Sequence, residues 1–463
     1  MTTGIWWIRR DLRLADNPAL QRALQECDIV IPLFILDPAL PASPAPNRQA
    51  FLYAGLRSLD ADLRELGSCL TVRSGNPADI LPQVLAETGA EKIFAEEDYS
   101  PYAIQRDQKV SQTLPLQLVL GVTVHHPGMV VKPDGSPFRV FTAFSRTWKA
   151  LPQPVSSEPK PGKLNPPPKL ASEPIPGLPE PPGFPAGEKE AHFRLEKFLE
   201  QPVYEYANDR NRLDLDGTST LSPYLRFGMI SARQAFLSAT KARANTSNPA
   251  ATQGRETWIN ELIWREFYNA ILYHFPFVLK TTYSPSFRNI PWREAPDDLH
   301  AWKMGMTGYP VVDACMRQLA GLGWMHNRGR MVVASFLVKD LLINWQEGER
   351  WFMKHLVDGD PAANNGGWQW TAGVGTDAAP YFRVFNPTTQ GEKFDPEGRF
   401  IRKWVPELER VPTSFIHHPA SMTLEMQKEV GVIIGRDYPA PMVDHHTAKE
   451  RTLAAFKASS RIG

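Results

Sequence analysis

Asp358-Gly359-Asp360-Pro361-Ala362-Ala363-Asn364-Asn365-Gly366-Gly367-Trp368-Gln369-Trp370 concentrates polar chemistry beside flat apolar rings. Its carboxylates accept hydrogen bonds, and its carboxamides both donate and accept them. Two Trp rings offer faces for stacking. Gly366 and Gly367 permit backbone angles or close approaches that a side chain forbids. Together these groups make a wall for a planar, hydrogen-bonding heteroaromatic ligand. The stretch is poor as a helix and poor as a strand, so a glycine turn anchored by buried Trp rings is the structural alternative.

A second constellation sits in a candidate helix over 258–275. Glu261, Trp264, Arg265 and Tyr268 fall at i, i+3, i+4 and i+7 and share one face. A core face would be apolar; this one is acidic, aromatic and basic. Glu261 and Arg265 could form a surface ion pair worth about 0.2–0.5 kcal/mol, but a Trp between them suits the stacking of bases better. A third run, Gly217-Thr218-Ser219-Thr220-Leu221, leads into Ser222-Pro223. Ser222 reads as a cap and Pro223 as the first helical residue. Free N–H groups and the positive dipole end there suit a pyrophosphate, with simple capping as the alternative. Lastly, Trp324-Met325-His326-Asn327-Arg328-Gly329-Arg330-Met331 holds the best local basic pair, Arg328 and Arg330, suited to phosphate.

The elements that must position these groups follow from pattern and composition. A chain of 463 residues suggests two or three domains. The net charge of +1 gives a nucleic acid no long-range attraction, so any such ligand needs a local basic patch. Three scattered cysteines, Cys27, Cys69 and Cys315, argue against a disulfide framework or a Cys-based zinc site and fit a reducing, cytosolic setting. The first ten residues lack a signal core, and no apolar run is long enough to span a bilayer, so a soluble chain is expected. Apolar runs at 5–8, 29–35, 70–72, 93–95 and 122–124 alternate with helical patterns, including the stripe Leu52, Leu56, Leu59, Leu63, Leu66. That alternation predicts a parallel sheet covered by helices, with ligands near the carboxyl ends of its strands. The loop after the first strand, Arg9-Arg10-Asp11-Leu12-Arg13, is not a dinucleotide fingerprint and reads as a solvated charged loop. Residues 152–185 hold 13 of the 43 prolines and predict an extended surface connector. From about 190 onward the pattern is helical. The apolar face Val338, Leu341, Leu342, Trp345 makes Trp345 a core residue by default, and Trp292 looks like a loop-end anchor. The last helix, near 447–459, leaves no long tail.

Several stretches share a further pattern: Trp7-Ile8-Arg9-Arg10-Asp11-Leu12-Arg13-Leu14, Phe138-Arg139-Val140-Phe141-Thr142, Gly217 to Ser222 and Glu261-Leu262-Ile263-Trp264-Arg265-Glu266-Phe267-Tyr268. It continues through Gly308-Tyr309-Pro310, Trp324 to Met331, Asp358 to Trp370 and Phe385-Asn386-Pro387-Thr388-Thr389-Gln390. No single stretch is diagnostic. As an ordered set over nearly the whole chain they resemble the DNA photolyase/cryptochrome family, most closely its class I cyclobutane pyrimidine dimer (CPD) photolyases.

The resemblance implies an α/β, Rossmann-like (flavodoxin-like) antenna domain over 1–130, a Pro-rich connector over 131–195 and an all-α FAD- and DNA-binding domain over 196–463. It implies that Tyr206, Thr218, Ser219, Thr220, Leu221 and Ser222 hold FAD, and that Asp358, Gly359 and Asp360 meet its flavin and sugar. Asn364 would face flavin N5, and Arg330 would pair with Asp358. Glu261 would hydrogen-bond the damaged bases between Trp264 and Trp370, with Asn327 and Met331 lining the same pocket. Arg210, Arg265, Tyr268 and Arg328 would meet UV-damaged DNA. Trp368, Trp345 and Trp292 match the family's electron relay to the flavin. No metal is implied, and a monomer is expected. The stretch Tyr102-Ala103-Ile104-Gln105-Arg106-Asp107 lacks the Glu of folate-binding relatives. It favours an 8-hydroxy-5-deazaflavin antenna over methenyltetrahydrofolate, with FMN or an empty site open. Two relatives in function are distinguished by residue type. A cryptochrome photoreceptor often has Asp or Cys where Asn364 stands, and a (6-4) photolyase has a His-rich pocket where His326 to Met331 stand here. A flavin electron-transfer protein without DNA would not need Arg328 and Arg330 beside an aromatic pocket.

Overall fold

The computed structural model describes residues 1–40, 45–154, 157–242 and 249–460. The chain divides into two compact units. One is Met1–Ala207, Ser219–Pro276 and Val357–Ala362; the other is Asn208–Thr218, Phe277–Leu356 and Ala363–Gly463.

The first unit opens with five parallel strands: β1 Thr3–Ile8, β2 Ile29–Leu36, β3 Thr71–Ser74, β4 Lys92–Glu96 and β5 Leu116–Val119, in the order β3-β2-β1-β4-β5. Helices α1 Pro18–Glu26, α2 Pro46–Glu65, α3 Pro77–Thr88 and α4 Pro101–Ser111 connect them. Near-continuous apolar runs are what a sheet covered on both faces requires. Ile5, Trp7, Ile31, Leu33, Ile35 and Ile93 meet in one core. On α2 the predicted stripe is real, with Leu56, Leu59 and Leu63 buried. The strand order reverses between β1 and β4, so the ligand-prone switch point lies at their carboxyl ends.

The structure departs from two of these expectations. The last strand is Leu116–Val119, not 122–124. The Val124 N–H is instead taken by the Glu266 carboxylate at 3.0 Å, which removes it from any ladder. The loop after β1 is not solvated: Asp11 and Arg13 are buried, and Arg13 is ion-paired to Glu96. Burial lifts the Glu96 carboxyl to about 7, against the pull of Arg13. The Pro-rich stretch has no regular structure, but it is pinned down: Leu164 N–H donates to Leu66 O at 2.8 Å and Glu173 N–H to Val72 O at 2.9 Å. The second bond, with Val72 N–H to Ser172 Oγ at 3.0 Å, covers part of the edge strand β3. Residues 155 and 156 of this stretch lie outside the described residues.

The rest of this unit is helical: α5 Phe141–Ala150, α6 Glu188–Glu200, most of α7 Pro202–Asp209, α8 Ser222–Phe227, α9 Ala232–Ala242 and α10 Pro249–His274. The second unit packs α11 Pro296–Met304, α12 Pro310–Leu322, α13 Asn327–Ser335, a π-helical turn Phe336–Asp340, α14 Trp345–His355 and most of α15 Pro361–Ala372. It ends with α16 Pro387–Phe394, α17 Arg399–Trp404, α18 Leu424–Val430 and α19 His445–Ser460. Its core includes Trp302, Phe336, Trp345, Phe352, Trp368 and Phe456. Among the described residues no strand follows β5 and no helix is long and apolar enough to cross a membrane.

Candidate functional site

In the first unit, α10 presents Glu261, Trp264, Arg265 and Tyr268, all partly buried, while Leu262, Ile263 and Phe267 are buried in the core. Glu266 fixes the helix. It accepts from Val124 N–H at 3.0 Å, His125 N–H at 3.3 Å and Trp148 Nε1–H at 3.4 Å, and burial raises its carboxyl. Arg265 donates to Val122 O at 3.0 Å and Leu225 O at 3.4 Å, so its guanidinium is held by backbone. Trp264 lies flat on Phe141, with ring centroids 3.8 Å apart and planes 3° from parallel; Tyr268 is 5.6 Å away and tilted.

One turn before Glu261 on the same helix, Trp258 Nε1–H donates to Ser219 Oγ at 3.3 Å. Phe198 touches both Trp258 and Tyr206, so Tyr206 and Ser219 belong to one corner. Thr220 has φ +49°, a left-handed backbone uncommon for a β-branched residue, and its Oγ1 accepts from Arg194 at 2.7 Å. Helix α8 begins at Ser222 itself. Leu221 takes the cap position with no side-chain bond, so the reading of Ser222 as a cap is corrected. Leu221 already has αR backbone angles, φ −81° and ψ −4°, so the helix starts one residue earlier than expected.

Asp358 and Gly359 are buried. Gly359 O accepts from Arg226 Nε at 2.9 Å. Asp360 pairs with Arg10 at 2.7 Å and lies 3.7 Å from Arg226. Arg10 therefore links the loop after β1 to a segment about 350 positions away in sequence. Burial, aided by the neighbouring Arg10 charge, draws Arg226 down to about 9. Its Nη1 is buried without a hydrogen-bond partner, and fully buried Arg255 on α10 has none at any guanidinium nitrogen. Orphaned, buried guanidinium donors fit an anionic, acceptor-rich group such as the phosphates and hydroxyls of FAD.

In the second unit, α15 is a continuous helix through Asn364 to Trp370, which corrects the expectation of a glycine turn. Two glycines disfavour a helix by about 1 kcal/mol each. Side-chain bonds along the helix offset this. Asn365 Nδ2 donates to Val278 O at 3.0 Å and Glu349 Oε1 at 2.8 Å, Gln369 Nε2 donates to Val278 O at 3.0 Å, and Gln369 Oε1 accepts from Tyr283 N–H at 2.8 Å. Asn364 Nδ2 donates to Glu349 O at 3.1 Å. At Gly367 a Cβ would meet nothing within 4 Å, so the helix is bare there. Burial raises Glu349 to about 7.

The three relay candidates share this unit. Trp368 packs edge-on to Phe352 at 5.0 Å and to Trp302 at 6.2 Å, and only glycine at 348 leaves room for its ring. Trp345 is buried with its Nε1 3.4 Å from Thr282 Oγ1. Trp292 is partly buried against Phe456 at 6.0 Å. Trp370 and Met331 are partly buried, and Asn327 is exposed at the first turn of α13. Arg330 Nε donates to Met325 O at 2.9 Å. His326 caps α13 by accepting from Arg328 N–H at 3.1 Å, and burial draws its imidazole down to about 4. Arg328 donates to Asn211 Oδ1 at 2.6 Å and lies over Phe394 at 4.5 Å. Burial, then the charges of Arg210 and Arg383, draws it down to about 10.

Arg10, Phe141, Glu349 and Arg383 did not stand out in the sequence. Glu349 had a signal: it falls on the stripe Trp345, Gly348, Phe352, where an acid is out of place. Phe141 and Arg10 stood in quoted motifs without a task. Arg383 had no periodicity to mark it, since it lies in a loop.

Two family models match, "DNA photolyase" over residues 4–165 and "FAD binding domain of DNA photolyase" over residues 258–458. The chain is 40% identical to the deoxyribodipyrimidine photo-lyase of Escherichia coli over 100% of both chains. Among solved structures it resembles a bacterial class III photolyase from Agrobacterium tumefaciens, with TM-score 0.94 and 37% identity over 100% of this chain and 98% of that one. It also resembles a Synechocystis cryptochrome, with TM-score 0.89 and 30% identity over 98% and 99%. Matched from end to end and bearing both family models, the chain belongs to the DNA photolyase family.

Proposed function

We propose that this chain is a light-dependent CPD photolyase that binds FAD and restores adjacent pyrimidines in UV-damaged DNA. The observation behind this is its full-length 40% identity to a deoxyribodipyrimidine photo-lyase. A cyclobutane dimer is closed by two C–C bonds that acid–base chemistry hardly weakens, so a cofactor must supply the difficult step. FAD, held in its reduced form, would supply the light-excited one-electron chemistry that this step needs.

The chain's own residues bind, orient and stabilise. Tyr206 and Thr218 to Ser222 hold the cofactor's pyrophosphate side. Asp358, Gly359 and Asp360 hold its flavin and sugar side, with Asp360 steadied by Arg10. The neutral carboxamide of Asn364 tolerates negative charge at flavin N5 better than a carboxylate would. Glu261 hydrogen-bonds the dimer as charge develops on it. Asn327 and Met331 line the lesion pocket, and Trp264 and Trp370 supply stacking in place of the lost duplex neighbours. Enzymes that do chemistry on a base, photolyases among them, take it out of the stack. Arg210, Arg328 and Arg383 contact phosphate; Arg265, held by carbonyls, contributes potential, and Tyr268 borders the same face. Trp368, Trp345 and Trp292 relay electrons to the flavin.

The antenna reading is 8-hydroxy-5-deazaflavin. At the carboxyl end of the sheet, Arg9 and Arg106 both lie 4.8 Å from the Trp7 ring, and Tyr102 bonds to Asp37. No glutamate stands on α4 to serve a folate. An absorption spectrum of the purified protein separates deazaflavin from methenyltetrahydrofolate, FMN or no antenna. The function is tested by blue light on CPD-containing oligonucleotide with reduced protein, scored for restored thymines. Protein that holds FAD yet leaves the dimers intact would overturn the repair reading in favour of a photoreceptor, the activity suggested by the cryptochrome likeness.

A further inference from the structure

Trp264 has one ring face already covered. Phe141, the first residue of α5, lies parallel to it with centroids 3.8 Å apart and planes 3° from parallel, a spacing of face-to-face van der Waals contact. Both residues belong to the first unit, and α5 is itself fastened to α10. Phe144 packs on Phe267 at 5.3 Å, and Trp148 Nε1–H donates to Glu266 at 3.4 Å. Phe141 also meets Phe267 edge-on at 6.0 Å, which fixes its own plane. Phe267 in turn meets Trp264 edge-on at 5.6 Å. The indole is therefore held in one orientation by a backing ring and a buttress, both carried on elements anchored in the core. An exposed Trp without such backing loses side-chain freedom when a base stacks on it, at a cost of about 0.5–1.5 kcal/mol. A Trp already immobilised does not.

We propose that Phe141 is a positioning residue for lesion recognition: it backs Trp264, pre-sets the plane of the indole, and leaves only the opposite face for an extruded pyrimidine. This rests on the reading that Trp264 flanks the lesion. The partner chemistry is a flat, π-faced base made non-planar at its dimer edge, stacked as the third layer after Phe141 and Trp264. Only the lesion-specific part of binding should depend on the backing ring, because undamaged duplex does not present an extruded base.

The test measures Kd for CPD-containing and undamaged duplex with holoprotein, for wild type and for Phe141→Ala, Phe141→Leu, Phe141→Tyr and Trp264→Ala. Flavin content and thermal unfolding are read alongside. The expected result is a loss of CPD preference of roughly three- to tenfold in Phe141→Ala and Phe141→Leu. Undamaged-duplex affinity and flavin content should stay at wild-type values, and Phe141→Tyr should keep the preference. Leucine restores apolar volume without a flat face, so it separates backing from mere packing. If Phe141→Leu matches wild type while Trp264→Ala loses the preference, the backing role is wrong and the lesion reading stands. If Trp264→Ala also keeps the preference, the lesion reading itself has failed. Tighter CPD binding in Phe141→Ala would show that the Phe141 ring occupies the stacking face rather than the back, and would overturn the proposal. Should Phe141→Ala fail to fold, the Leu and Tyr pair decides the matter alone.

Discussion

A carboxyl on a mixed aromatic and basic face has few structural reasons to be there, and Glu261 was visible for that reason before any coordinates. Its helix partners explain why it stays presented: Glu266 ties α10 to the loop at 124–125 and Arg265 spends its fork on two carbonyls. A hydrogen bond to a charged group is worth about 1.5–3 kcal/mol. We expect Glu261→Ala to lower repair per absorbed photon several-fold while flavin absorbance stays at wild-type level; an unchanged yield removes its role. Trp345 shows the opposite case. Its burial and its contact with Thr282 are what any core Trp has, so pattern alone made it packing, and the relay role rests on family resemblance. Trp345→Phe keeps most of the apolar area. It should abolish light-driven flavin reduction yet repair dimers normally once the flavin is reduced chemically. Photoreduction at the wild-type rate would remove Trp345 from the relay.

Elements were legible where one force dominated. The Leu stripe of α2 comes from a periodicity that the sequence records. The α15 helix was misread because its two glycines speak locally, whereas the bonds from Asn365 and Gln369 to Val278 and Glu349 come from residues 16 to 91 positions away. The fifth strand was misplaced for a similar reason, since Val122 and Val124 owe their burial to tertiary contact with α10. The π-helical turn Phe336–Asp340 left no periodic trace. It buries Lys339, whose Nζ donates to Ala372 O at 2.7 Å at the end of α15 and lies 3.7 Å over Phe456. Burial draws this ammonium down to about 7. Because the folded value lies below the unfolded one, near 10.4, the unfolded chain binds the extra proton between about pH 7 and pH 10. Stability should therefore rise with pH across that window by the slope of about one proton. Lys339→Met should flatten this rise in urea unfolding at pH 7, 8 and 9, and a slope unchanged from wild type would show that another group titrates there.

The whole chain carries +1, so its field does not gather DNA; whatever draws in the polyanion must be local. The second unit contains such a place. Arg210, Arg328 and Arg383 come from three separate stretches, and burial, with the charges of Arg210 and Arg383, draws Arg328 down to about 10. Arg328 was marked in the sequence by its neighbour Arg330, and Arg210 by the family resemblance; Arg383 had neither and is joined to them by the fold alone. Like charges held together at such a cost suit a polyanion, which would relieve the repulsion. Each phosphate contact made with duplex DNA contributes about −0.9 to the slope of log K against log salt. Arg328→Ala and Arg383→Ala should therefore each make that slope shallower by about one contact and weaken damaged and undamaged duplex alike. Glu261→Ala should leave the slope as it is and change only what happens after light. If Arg383→Ala lowers affinity with the slope intact, the loop acts by packing rather than by charge. If it changes neither, Arg210 and Arg328 do the gathering without it.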